Sequence, residues 1–127
     1  ERIGLATSGS AFRHGQMELS FPKTNHPITR GFDRLKLMDE TYWNLRGDES
    51  RVHVLARAIE EGAPEVQLWA FEREKSRVFG CIPGHYTWTF DDPLYRVLVL
   101  RGIAWAAREP NVDRLLDLAT VGARVAP

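Results

Sequence analysis

The side chains of this 127-residue chain that could move a proton, hold a metal or attack a bond are few: four histidines, one cysteine and a scatter of carboxylates. His85 is the best placed of them. It lies in the segment GHYTWTFDDP, residues 84–93, just after an apolar strand-like run and just before a capped helix. In open α/β sheets ligands bind at the carboxyl ends of strands. There an imidazole can act as general acid or base, as metal ligand or as hydrogen-bond donor to a sugar. The competing role is that of a structural histidine bonding the backbone of its own loop.

Tyr86, Trp88 and Phe90 alternate with Thr87 and Thr89. Such an aromatic stripe can stack on the apolar face of a sugar, or pack as a strand edge into a core. Trp43 is a second candidate platform. Arg13 and His14 lie in FRHGQ, which reads as a polar, glycine-bearing loop where Arg13 could take an anion or carboxylate. Solvated loop charges are the plainer alternative. His26 precedes a proline in NHPITRGF and reads as turn chemistry. Of the adjacent carboxylates Asp39 and Glu40, one could orient a histidine or hold a cation; on a strand they point to opposite faces, so both cannot serve one site without a bulge, and a solvated pair is the default. Cys81 sits inside an apolar run without the strained turn that a nucleophile elbow needs, and reads as a buried thiol.

Strands and one helix must position these groups. Residues 2–7 read as a short strand, residues 16–21 as a half-buried strand, and residues 35–45 as a strand ending in Tyr42 and Trp43. In the strand of residues 52–59, Val52, Val54, Ala56 and Ala58 share one face and His53, Leu55 and Arg57 the other. Residues 65–71 and 77–82 are separated by the five residues EREKS, too few for a parallel crossover, so they form an antiparallel hairpin. Asp92 as N-cap and Pro93 at the first position open a helix that runs to residue 108. It is apolar nearly all round, which implies deep burial or cover by another element. A second short helix is expected over residues 112–118.

Composition narrows the function. Apolar residues make up 43% and charged residues 27%, an ordinary globular balance. Seventeen basic residues against seventeen acidic ones leave no basic footprint for nucleic acid. No apolar run is long enough to insert into a membrane. A single cysteine excludes an internal disulfide, and no haem-attachment motif is present. The compartment stays open between cytoplasm and periplasm.

The order of segments resembles the ThuA-like (trehalose utilisation) domain family of the class I glutamine-amidotransferase-like superfamily. The residues that carry this are HPITRG at 26–31, DETY at 39–42, Gly84 with His85, and RGIAWA at 101–106. The resemblance covers about residues 12–108 and is to the C-terminal part of such a domain. It implies an α/β fold: the C-terminal part of a flavodoxin-like, glutamine-amidotransferase-like sheet with an antiparallel hairpin and a closing helix. Residues 1–109 would be the partial ThuA-like domain, and 110–127 a short helix and linker tail. It implies a role in carbohydrate utilisation, on trehalose or a keto-disaccharide, without the superfamily's cysteine chemistry. His85 would be the catalytic residue and Arg13, His14, Trp43 and Trp88 the substrate contacts, with a divalent metal as the cofactor to consider. The alternative is a non-catalytic docking module whose missing half is supplied by another polypeptide. On either reading the near-apolar helix and the missing half of the family fold predict that the chain is not a free-standing monomer with a closed core.

Overall fold

In the computed structural model, residues 2–7 and 9–112 are described. Five strands, β1 (Ala11–Ser20), β2 (Arg34–Trp43), β3 (His53–Glu60), β4 (Ala63–Arg73) and β5 (Ser76–Cys81), are followed by helix α1 (Pro93–Ala106). Short 3-10 turns occupy Glu49–Arg51 and Thr87–Asp91. The strands form one sheet in the order β2-β1-β3-β4-β5, and every pairing in it is antiparallel. The result is mixed α/β, with the expected antiparallel hairpin and closing helix both present. The second short helix expected at 112–118 lies almost wholly outside the described residues. No helix among the described residues is long and apolar enough to cross a membrane.

Local chemistry explains the connections. β3 and β4 are joined through Glu61 and Gly62, both at positive φ, as a two-residue hairpin turn of the primed type requires. β4 and β5 also close tightly: Arg73 pairs with Ser76, so the strands run into the EREKS segment and only Glu74 and Lys75 make the turn. β1 and β3 meet only at Ser20 and Arg57, so the sheet is loosely joined there and curls. The curl brings β2 over β4, where the Gln67 side-chain amide donates to Tyr42 O at 2.7 Å and accepts from Tyr42 N at 3.4 Å. The exposed edge of β2 is thereby partly covered by a side chain.

The simple alternation expected for β3 is broken. The register shifts around Val54 to Arg57, which marks a bulge at Leu55. Leu55 and Ala56 are therefore both fully buried, although neighbours in a regular strand would face opposite ways. Residues 2–7 make no regular strand. They form one bridge, Ala6 to Arg46, and cap the sheet through Trp69 Nε1, which donates to Ile3 O at 2.8 Å.

The core divides in two. The larger cluster gathers Met17, Leu19, Leu35, Leu37, Leu55, Leu68 and the inner face of α1 at Tyr95, Leu98 and Trp105. The smaller joins Leu5, Val66, Trp69 and Phe71. Among the described residues, helix α1 is covered on one side: Tyr95, Val97, Leu98, Arg101, Gly102 and Trp105 are buried, whereas Leu100 and Ile103 are exposed. Asp92 caps it by accepting from Leu94 N and Tyr95 N, as the Asp-Pro signal required. Arg101, which as a charged residue would be expected on the polar face, is buried and donates to Arg30 O at 2.7 Å.

Candidate functional site

The β1–β2 hairpin sets His14 directly opposite Glu40. This changes the reading of FRHGQ from loop to strand: Arg13, His14 and Gly15 all lie inside β1. Along β2 every odd-numbered residue from Leu35 to Trp43 is buried, while Arg34, Lys36 and Met38 are exposed. Glu40 belongs to the open face but is buried all the same, because the chain following β5 folds over it.

That segment is held by the neighbouring carboxylate. Asp39, wholly buried, accepts from Gly84 N at 2.9 Å, from His85 N at 3.0 Å and from the Thr89 hydroxyl, besides Glu40 N at 2.7 Å. A buried carboxylate is tolerable only with its oxygens so satisfied. Trp88 Nε1 donates to Met38 O at 2.8 Å and fastens the same segment to the edge of β2. Gly84 permits the turn: its φ is +128°, and a Cβ there would lie 3.2 Å from the Tyr95 hydroxyl. The expectation of a solvated Asp39–Glu40 pair is thus corrected. The two point to opposite faces, and both are buried because one chain segment wraps the strand edge between them.

His85 therefore stands beyond the carboxyl end of β5 with its ring against Glu40. Its Nδ1 is 2.9 Å from Glu40 Oε2, and His14 Nε2 is 3.3 Å from Glu40 Oε1. The Tyr86 hydroxyl is 2.6 Å from His14 Nδ1. The His14 and His85 side chains are 43% and 51% exposed, against 6% for Glu40, so a buried carboxylate carries two imidazoles that face solvent. Tyr86 and Trp88 stack with ring centroids 4.2 Å apart and planes 11° from parallel, and Trp88 is half-exposed. Phe12 and Met38 add exposed apolar surface on the same face of the hairpin. An open groove of about 480 Å³ begins at Gln16 and Met38, the next pair on the same face of the hairpin after His14 and Glu40.

Two of the expected substrate contacts are placed elsewhere. Arg13 faces away from His14 and forms a fork on Glu60 of β3, at 2.9 Å and 2.7 Å, and that carboxylate also accepts from the Thr41 hydroxyl. The guanidinium holds the Glu60 carboxyl below its ordinary range. Trp43 is 7% exposed on the buried face of β2, so its indole offers no open platform. His26 packs its ring on Trp105 and against His53, and accepts from Ile28 N. Burial, together with His53 and Arg77, lowers its pKa to about 4. The Cys81 thiol bonds Pro83 O and the Tyr95 hydroxyl, and burial pushes it up to about 11, far from an activated thiolate.

The sequence offers Glu40 as one of two carboxylates that could orient a histidine or hold a cation, and Tyr86 as part of an aromatic stripe, but it does not bring either of them to His14 and His85. The signal that would have found Glu40 is register: extending β1 back through Gly15 pairs His14 with it.

Comparison with known proteins agrees with this architecture. No curated protein matches the chain. A solved structure of a ThuA-like protein from Parabacteroides merdae matches with a TM-score of 0.64 and 25% identity, over 80% of this chain and 42% of that one. The chain thus spans less than half the length of this neighbour. The family model for ThuA, described as trehalose utilisation, matches residues 5–106. This chain belongs to the ThuA family.

Proposed function

We propose that the chain is a carbohydrate-binding part of a ThuA protein, taking trehalose or a keto-disaccharide against the Tyr86–Trp88 stack, with His85 as the residue that meets the substrate. The observation that carries this is the adjacency of the stacked aromatic pair to the His14–Glu40–His85 cluster. Sugars present apolar ring faces to aromatic side chains and hydroxyls to charged and imidazole groups, so a half-exposed indole beside two imidazoles fits both halves of that chemistry. His14 contributes polar contact, and Glu40 fixes both rings. The family's link to trehalose utilisation points to the same substrate class.

Titration of the full chain with trehalose and with a keto-disaccharide, followed by tryptophan fluorescence, tests the reading. Saturable quenching that is lost in Trp88→Ala and His85→Ala, with unchanged circular dichroism, is the expected result. Absence of any saturable response to either sugar defeats it.

The second reading, a docking module completed by another polypeptide, is favoured by Leu100 and Ile103, exposed one turn apart on the outer side of α1. Sedimentation of the chain as a monomer at high concentration, together with sugar binding, would leave that reading without support.

A further inference from the structure

We propose that His14 Nε2, His85 Nδ1 and a Glu40 carboxylate oxygen bind one divalent transition-metal ion, of the zinc, manganese or cobalt type. The proposal rests on the juxtaposition of two imidazoles and one carboxylate, whose ligand atoms all lie within 4.8 Å of one another. Ligands placed about 2 Å from a common ion lie roughly 3–4 Å apart, so small side-chain adjustments bring the three together around one centre. Two imidazoles with one carboxylate are the donor set of open, reactive metal sites rather than of closed structural ones.

The electrostatics favour a cation between these atoms. Glu40 is buried, and each of its oxygens faces a ring nitrogen, at 3.3 Å and 2.9 Å. Arg13, on the neighbouring strand, points to the other face of the sheet and is committed to Glu60. In the tautomer where His14 Nδ1–H donates to the Tyr86 hydroxyl, Nε2 turns a lone pair toward the carboxylate. Lone pair and carboxylate repel unless a proton or a metal ion stands between them. A partner on the far nitrogen of a ligating histidine is also the usual outer support of a metal centre, fixing tautomer and ring orientation.

The framework is prepared without the ion. Asp39 binds the His85 and Gly84 amides, so the position of one ligand is set by backbone contacts and not by the metal. His14 and Glu40 are fixed by the β1–β2 register. Both imidazoles remain about half exposed, so three protein ligands would leave coordination positions open to water or to the hydroxyl and keto oxygens of a sugar. That last step rests on the carbohydrate reading; the metal site does not.

The test is calorimetric titration of the metal-stripped full chain with zinc, manganese and cobalt chlorides, with visible absorption of the cobalt form as a second readout. One equivalent is expected to bind. His14→Ala, His85→Ala and Glu40→Gln should each weaken binding by on the order of 100-fold, and Tyr86→Phe by about 10-fold. Arg13→Ala and His26→Gln should leave it unchanged. Thermal melts show which variants are folded, and Glu40→Gln, which keeps size and shape, serves if an alanine variant is not. No saturable binding of any of the three ions, or full binding retained in folded Glu40→Gln, overturns the proposal. Metal that binds as expected in a protein indifferent to sugar would sink the carbohydrate reading and leave the metal site standing.

Discussion

Asp39 and Glu40, consecutive in β2, act on the same chain segment from its two sides: Asp39 receives the Gly84 and His85 amides, and Glu40 meets the His85 ring. Alternation along the strand separates the tasks. One carboxylate anchors backbone inside the fold, and the other is the charge at the centre of a surface cluster.

Substituting these neighbours should therefore give unlike outcomes. Asp39→Ala removes the acceptor of two partly buried backbone amides and of the buried Thr89 hydroxyl, which costs about 3 kcal/mol, a fall in Tm of roughly 10 °C or more. Glu40→Gln should change Tm far less while weakening metal binding by on the order of 100-fold. Differential scanning calorimetry of the two variants reads this directly, and equal losses would mean that Glu40 is also structural.

Arg13→Ala removes the fork that compensates buried Glu60, whose side chain is only 3% exposed. The loss expected is about 2–3 kcal/mol, moderated because the Thr41 hydroxyl still reaches the carboxylate. Sugar and metal titrations should be unaffected in the folded fraction. A selective loss of ligand affinity at constant Tm would return Arg13 to the binding surface.

His26 sets a pH dependence. Its folded pKa of about 4 lies below the ordinary 6.5, so between those values the unfolded chain binds the proton and the folded chain does not. Its contribution is fully present above pH 6.5 and is lost as pH falls toward 4. Urea midpoints at pH 7 and pH 4.5 should differ in that direction. His26→Gln should flatten the dependence, and an unchanged slope in the variant would assign it to other groups.

At Gly102 two effects oppose each other. Alanine is better than glycine in a helix by about 1 kcal/mol. A Cβ at this position, however, would lie 2.2 Å from Phe79 Cδ1, in the ring of a residue fixed in β5. Overpacking of that kind costs typically 1–3 kcal/mol, so Gly102→Ala should be net destabilising. A rise in Tm would show that α1 can move away from the sheet without loss.

The helix and the hairpin were legible in the sequence because their determinants are local. Asp92 and Pro93 announce the α1 start, and two apolar runs five residues apart leave only a hairpin. What was not legible depended on distant residues. Gly15 inside β1 looked like a loop because strands disfavour glycine, and losing residues 11–15 from the strand hid the pairing of His14 with Glu40. Leu55 was assigned to the wrong face because a bulge, invisible in composition, shifts its register. Trp43 and Trp88 are equally aromatic on paper. Only the burial of one face of β2 and the wrapping of the other by residues 84–91 separate a core indole from a surface one.

The chain segment that wraps β2 also orders events in time. The hairpins β3–β4 and β4–β5 close over two residues each, whereas Gly84 meets Asp39 across 45 residues and Tyr86 meets His14 across 72. Longer loops close at greater entropic cost, and non-local contacts form more slowly. A chain emerging from the ribosome can thus acquire most of its strands before the wrapping segment exists. In refolding, the Trp88 fluorescence signal should lag behind strand formation seen by far-UV dichroism. Simultaneous rise of the two signals would contradict this order. Completion of the cluster then reports that β1, β2 and the wrapping segment have come together.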